Sequence, residues 1–105
     1  MRVYIAGPYS KGDVAINVRN AIKLADMVAS YGHIPYLPHL THFWHVVSPH
    51  TEEFWLKIDM EFLQCCDCVL RMDGESKGAD KEVALARSLG LPVYYDISEI
   101  PSRGY

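Results

Sequence analysis

The chain has 105 residues, half of them hydrophobic, and its 10 Lys and Arg against 13 Asp and Glu leave a net charge of −3. A typical domain holds ~100–150 residues, so 1–105 is expected to form one domain; mild acidity with scattered basic residues excludes the clustered charge that a nucleic-acid partner needs. No apolar run approaches the ~20 residues that span a bilayer, and MRVYIAGPYS enters a strand pattern with no signal peptide, so no membrane partner and a cytoplasmic location are expected.

Val3-Tyr4-Ile5-Ala6 is a short apolar run stopped by Gly7-Pro8, the pattern of a buried strand. The period then changes. Val14, Val18, Ala21, Ile22, Ala25, Val28 and Ala29 form a helical stripe, with Asp13 as N-cap and Gly32 as the stop. Ile34–Leu37 is a second strand, placed at a sheet edge by Pro35, which has no N–H to donate. Residues 38–50 have no clean period. Ser48-Pro49 predicts the start of a helix that carries Phe54, Trp55, Ile58 and Phe62 inward and ends near Cys65. Cys68–Met72 is a third strand, Asp73–Gly78 a polar loop, Ala79–Leu89 a helix ended by Gly90, and Pro92–Tyr95 a fourth strand. Strands alternating with helices imply a small doubly wound α/β fold, flavodoxin- or Rossmann-like, with a parallel sheet of four to five strands and helices on both faces. Ligands of such sheets sit at the carboxyl ends of the strands where strand order reverses, which nominates the loops Gly7–Gly12 and Asp73–Gly78.

The first loop, Gly7-Pro8-Tyr9-Ser10-Lys11-Gly12, lies between a strand and a helix, the setting of a phosphate or ribose site, yet it matches no nucleotide fingerprint and is equally a plain tight turn. The second, Ser76-Lys77-Gly78-Ala79-Asp80-Lys81-Glu82, sets a hydroxyl and amide donors at a helix start, with Glu82 about one turn inside. There the helix dipole is expected to favour an ionised carboxylate, as a nucleophile requires, and the small residues Ala79 and Ala86 to leave space for a ligand; acidic residues also occupy first turns for the dipole alone. Asp59 follows Trp55 by four residues and shares its aromatic flank, where burial raises a carboxyl pKa and suits an acid; a surface Asp paired with Lys57 is the plainer alternative. The five histidines, His33, His39, His42, His45 and His50, lack metal-ligand spacing and nearby carboxylates, so they are expected to be solvated or to line a substrate lid, with no metal. Cys65, Cys66 and Cys68 are too close together for unstrained disulfides, which fits a reducing compartment, and are expected to fill core.

Tyr4-Ile5-Ala6-Gly7-Pro8, Pro38-His39, Asp59, Cys66-Asp67-Cys68-Val69-Leu70 and the run Ser76-Lys77-Gly78-Ala79 with Glu82 together resemble the nucleoside 2-deoxyribosyltransferase superfamily, in particular its short members, over roughly Arg2 to Tyr95. The resemblance implies Glu82 as the nucleophile on the anomeric carbon, Asp59 as the acid that assists the leaving base, and Tyr4 as the residue orienting the nucleophile. It implies a substrate-binding set of Gly7, Pro8, Tyr9, His39, Asp73, Ser76 and Gly78, in which Ser76 contacts a 5′-phosphate and Asp73 stands near a base-binding aspartate. It further implies a homodimer or higher homo-oligomer in which a neighbour's C-terminal segment, here 98–105, completes the pocket. The aromatic region around Phe43, Trp44, Phe54 and Trp55 is expected to form the subunit contact or a lid. The expected activity is cleavage of the N-glycosidic bond of a nucleoside or nucleotide, by transfer or hydrolysis, with no cofactor; the rival is a nucleotide-binding module without catalysis.

Overall fold

The computed structural model describes residues 1–101; the end of the expected tail segment, 102–105, lies outside the described residues. Strands β1 (Arg2–Ala6), β2 (Ile34–Tyr36), β3 (Cys68–Arg71) and β4 (Val93–Tyr94) form a four-stranded sheet in the order β2-β1-β3-β4. Every pairing is parallel, with Tyr4 beside both Tyr36 and Val69. Helix α1 (Val14–Ser30) connects β1 to β2, and α4 (Lys77–Ser88) connects β3 to β4. Between β2 and β3 run a 3-10 turn (Pro38–Thr41), the short α2 (His42–Val47) and α3 (Glu52–Leu63). This is the expected doubly wound α/β architecture, with its strand order reversing between β1 and β3.

Strand alternation divides the core. Val3, Ile5, Cys68 and Leu70 face α1, where they pack with Ala21, Val28, Leu37 and Ile100. Tyr4, Ala6 and Val69 point the other way, against Leu63 of α3 and Ala79 and Ala86 of α4. The two alanines let α4 lie close to β1, so Ala86 is core rather than part of a ligand space. Asp13 caps α1 through the Ile16 N–H at 3.1 Å, as its position predicts. The stripe of α1 buries Val18, Ala21 and Val28, while Ile22 turns outward.

Three expectations require correction. Helix α3 starts at Glu52 rather than after Ser48: the Thr51 hydroxyl accepts the Phe54 N–H, and Glu52 and Glu53 in the first turn complement the dipole. Ser48 is consumed as the end of α2, its N–H bonded to the Trp44 carbonyl at 2.8 Å. Phe62 is half-exposed, since the inward position at the end of α3 belongs to Leu63. Cys66 and Cys68 are core, but Cys65 is exposed, one residue past the α3 cap; all three are free thiols.

Candidate active site

A cleft of about 720 Å³ opens at the carboxyl ends of β1 and β3, lined by the loops that follow them, the Pro38–Thr41 turn, α2, α3 and the start of α4. Two close approaches shape its floor. A Cβ at Gly7 would sit 2.8 Å from the Met72 sulfur, and one at Gly74, already at φ +113°, would lie 2.7 Å from the Pro8 ring. Glycine at these positions therefore lets the two loops stack. From α1, the Asn17 amide reaches back to the carbonyls of Tyr9 (2.8 Å) and Lys11 (2.7 Å), holding the first loop open.

Tyr4, Asp59 and Glu82 come together at the base of the cleft although 78 residues separate the first from the last. Tyr4 is fully buried in β1, and its hydroxyl donates to Glu82 Oε2. An aromatic ladder fixes that tyrosine: its ring lies 5.5 Å from Tyr36, which stacks on Phe62 at 5.0 Å. Glu82, only 6% exposed, is the sixth residue of α4, because Ser76 caps the helix at the Ala79 N–H and so starts it two residues earlier than expected. The dipole acts within the first turn. Burial consequently overrides it and raises Glu82 to about 8, reinforced by the Asp59 charge and opposed by the Tyr4 hydrogen bond and the Arg71 charge.

Asp59 lies on the cleft wall rather than at the surface, and burial pushes it up to about 6. Its Oδ1 is buried and, among the described residues, has no hydrogen-bond partner, so neither Lys57 nor a backbone donor satisfies it. Two coupled carboxyls with these values hold one proton between them across neutral pH. The Tyr4 donor and the Arg71 charge act on Glu82 and offset part of its shift, but the order of the two values leaves the proton on Glu82 and the charge on Asp59 in the ligand-free pair. Burial and the neighbouring carboxylates raise the Tyr4 phenol far above the titrating range, so it remains a donor.

Gly7, Tyr9, His39, Ser76 and Gly78 line the cleft, as do Lys11, Lys77 and Lys81. Pro8 does not line it; its carbonyl instead accepts from His39 Nε2 at 2.9 Å, tying the Pro38–Thr41 turn to the first loop. Burial lowers the His39 imidazole and keeps it neutral, and its Nδ1 is buried without a partner. Asp73 is exposed outside the cleft, because the 73–74 turn carries it past the rim, so the base-binding role implied for it is not supported by its position. Tyr9 is fixed by a 2.6 Å bond to His42 Nδ1.

Sequence reasoning missed Arg71 and Tyr36; of the histidines expected to be solvated or to line a lid, His39, His45 and His50 line the cleft. Arg71 is 8% exposed and binds the carbonyls of Met72 and Gly74 (3.0 Å for the latter) and Asp80 Oδ1 (3.1 Å), which clamps the second loop to α4. A lone charge ending an otherwise apolar strand was its only signal. Among the described residues, no group of three or more His, Cys, Asp or Glu gathers as a metal-ligand set.

Fold and cleft together define a doubly wound α/β protein with a carboxyl pair at its topological switch point. The chain belongs to the DUF7768 family, a domain of unknown function, which matches residues 1–96. No curated protein matches it. Among solved structures, a 2-deoxyribosyltransferase from the psychrotolerant bacterium Bacillus psychrosaccharolyticus is similar, with a TM-score of 0.66 and 20% identity over 92% of this chain and 76% of that one. At that identity the likeness is one of fold.

Proposed function

We propose that the protein cleaves the N-glycosidic bond of a (deoxy)nucleoside or its 5′-monophosphate through a covalent glycosyl ester on Glu82, passing the sugar to another base or to water. The observation that carries this reading is the pair of buried Glu82 and half-buried Asp59, with Tyr4 donating to the first and, among the described residues, no donor on Oδ1 of the second. Bond cleavage needs a nucleophilic carboxylate and a separate acid, and one shared proton supplies both once it passes from Glu82 to Asp59 in the substrate complex. The Glu82 carboxylate attacks C1′ as the C1′–N bond breaks; the bond pair leaves with the base, which takes the Asp59 proton. A second base or water then attacks C1′ from the vacated face, returns its proton to Asp59 and frees Glu82, so configuration is retained.

The fold shared with a 2-deoxyribosyltransferase supports the substrate class. Ser76, Lys77 and the amides near Gly78 at the start of α4 are the groups suited to a 5′-phosphate, because a helix N-terminus offers unpaired N–H donors. Tyr9, Gly7 and His39, which line the cleft, are the groups proposed to border the sugar.

Incubation with deoxynucleosides and their monophosphates, with and without acceptor bases, should release free base. Intact-mass analysis of acid-quenched protein should show a sugar adduct absent from Glu82→Gln. Saturable nucleotide binding without base release from any substrate would refute the enzyme and leave a binding module.

A further inference from the structure

We infer that His45 reads the nucleobase, donating its Nε2–H to an oxo group and so selecting oxo-bearing bases over adenine. The inference rests on the N-glycoside reading of the cleft and adds the identity of the leaving base.

His45 stands in the last turn of α2 and lines the cleft. Its Nδ1 accepts the Trp55 indole N–H at 2.9 Å and faces the His50 backbone N–H at 3.3 Å. Indole and peptide nitrogens are donors only, so Nδ1 has to present its lone pair and the ring proton resides on Nε2. A proton on Nδ1 would set three hydrogens against one another. The imidazole thus offers the ligand a donor and no acceptor, and among the described residues no hydrogen bond uses Nε2. The ring is also held in place. Trp55, its anchor, meets His45 edge to face at 5.7 Å and Trp44 at 4.8 Å.

Asp59 follows Trp55 by one helical turn on the same face of α3, and its buried Oδ1 has no partner. In its neutral form it is a second donor on this wall. Two donors complement a base edge carrying two neighbouring acceptors. A 6-oxopurine has such an edge in N7 and O6, whereas adenine sets an amino donor beside N7. Adenine would therefore point its N6 hydrogens at the His45 hydrogen. One hydrogen bond lost at a half-buried wall corresponds to ~10–100-fold in affinity.

The test uses Glu82→Gln, which prevents turnover, and calorimetry with 2′-deoxyinosine and 2′-deoxyadenosine. Deoxyinosine should bind ~10–100-fold tighter; adding His45→Phe should bring the ratio near one, and His45→Gln, which returns an amide N–H near the Nε2 position, should restore it. Equal binding of the two nucleosides, or a ratio untouched by His45→Phe, would overturn the inference and leave the N-glycoside reading standing. Binding of neither at millimolar concentration would overturn both. Long-range proton–nitrogen NMR of the ligand-free wild type needs no variant: an Nε2–H tautomer at His45 is expected, and an Nδ1–H tautomer would overturn the inference whatever binds.

Discussion

Replacing Tyr4 with Phe removes one hydroxyl and separates the ionisation of Glu82 from its placement. The phenol is the donor on Glu82 Oε2, and its hydrogen bond opposes the burial that lifts this carboxyl to about 8. A hydrogen bond to a buried charged group contributes ~1.5–3 kcal/mol, and 1.36 kcal/mol is one pKa unit, so Tyr4→Phe should raise Glu82 by about one to two units. In the one-proton state of the pair the proton already favours Glu82, and losing the donor holds it there more tightly, so a smaller fraction of the pair carries the charge on Glu82 for attack on C1′. The kcat/KM of base release should therefore fall ~10–100-fold at its optimum, while the alkaline limb of the pH profile moves up by about one to two units. Neighbouring Tyr36 and Phe62 still hold the ring, so circular dichroism should show an intact fold. Unchanged kcat/KM, or a loss with the alkaline limb fixed, would refute the argument that Tyr4 acts on the charge of Glu82.

Asp59→Asn should slow natural substrates by at least ~100-fold but spare those whose leaving group needs no proton; equal slowing of both would assign Asp59 a structural role. Calorimetry on Glu82→Gln should show a 5′-monophosphate binding more tightly than its nucleoside, with the advantage shrinking in high salt, because Ser76, Lys77 and the α4 amides are the groups proposed for the phosphate; equal affinities would discard that site. Glu82 is raised from 4.5 to about 8, so its stabilising contribution is fully present below about pH 4.5 and lost as pH rises through about 8; Glu82→Gln, melted at pH 5 and pH 9, should match wild type at the first and exceed it by a few kcal/mol at the second. Phe43 is 70% and Val47 85% exposed on α2, and sedimentation equilibrium at micromolar concentration should find a homo-oligomer; a single species near 11.9 kDa would exclude one.

Local signals were enough to read the sheet and α1. Val3–Ala6 and Cys68–Met72 are apolar runs with turn residues behind them, and Asp13 and Gly32 bracket one uninterrupted stripe, so each element is specified by neighbours in the chain. The region between β2 and β3 was not legible in the same way. Ser48-Pro49 and Thr51-Glu52-Glu53 are both good helix starts by composition, and what decides between them is that α2 already uses Ser48 as its end. That helix has six residues and buries none of its side chains, so it leaves almost no period in the sequence. Its placement depends on contacts with distant residues, such as His45 with Trp55 and His42 with Tyr9.

The candidate site divides along the same line. The positions of Ser76 and Glu82 follow from the helix that carries them, but the charge state of Glu82 does not, and the dipole argument gave the wrong sign for it. Four residues from four elements set that charge: Glu82 on α4, Tyr4 on β1, Asp59 on α3 and Arg71 on β3. Parallel register brings Tyr4 level with Val69, two residues before Arg71, and the small Ala79 and Ala86 let α4 descend onto this face. The same burial that makes the pair chemically useful opposes folding at neutral pH, since each carboxyl has to enter a poorly solvated site. Tyr4 and Arg71 offset part of that cost, and both act on the ionised form of Glu82. An arrangement selected for stability alone would put apolar side chains at 59 and 82 on a sheet face already lined by Ala6, Val69 and Leu63. Stability alone thus gives no reason for the carboxyl pair, whereas the proposed function does, and the pair is the reason to look for chemistry in this cleft.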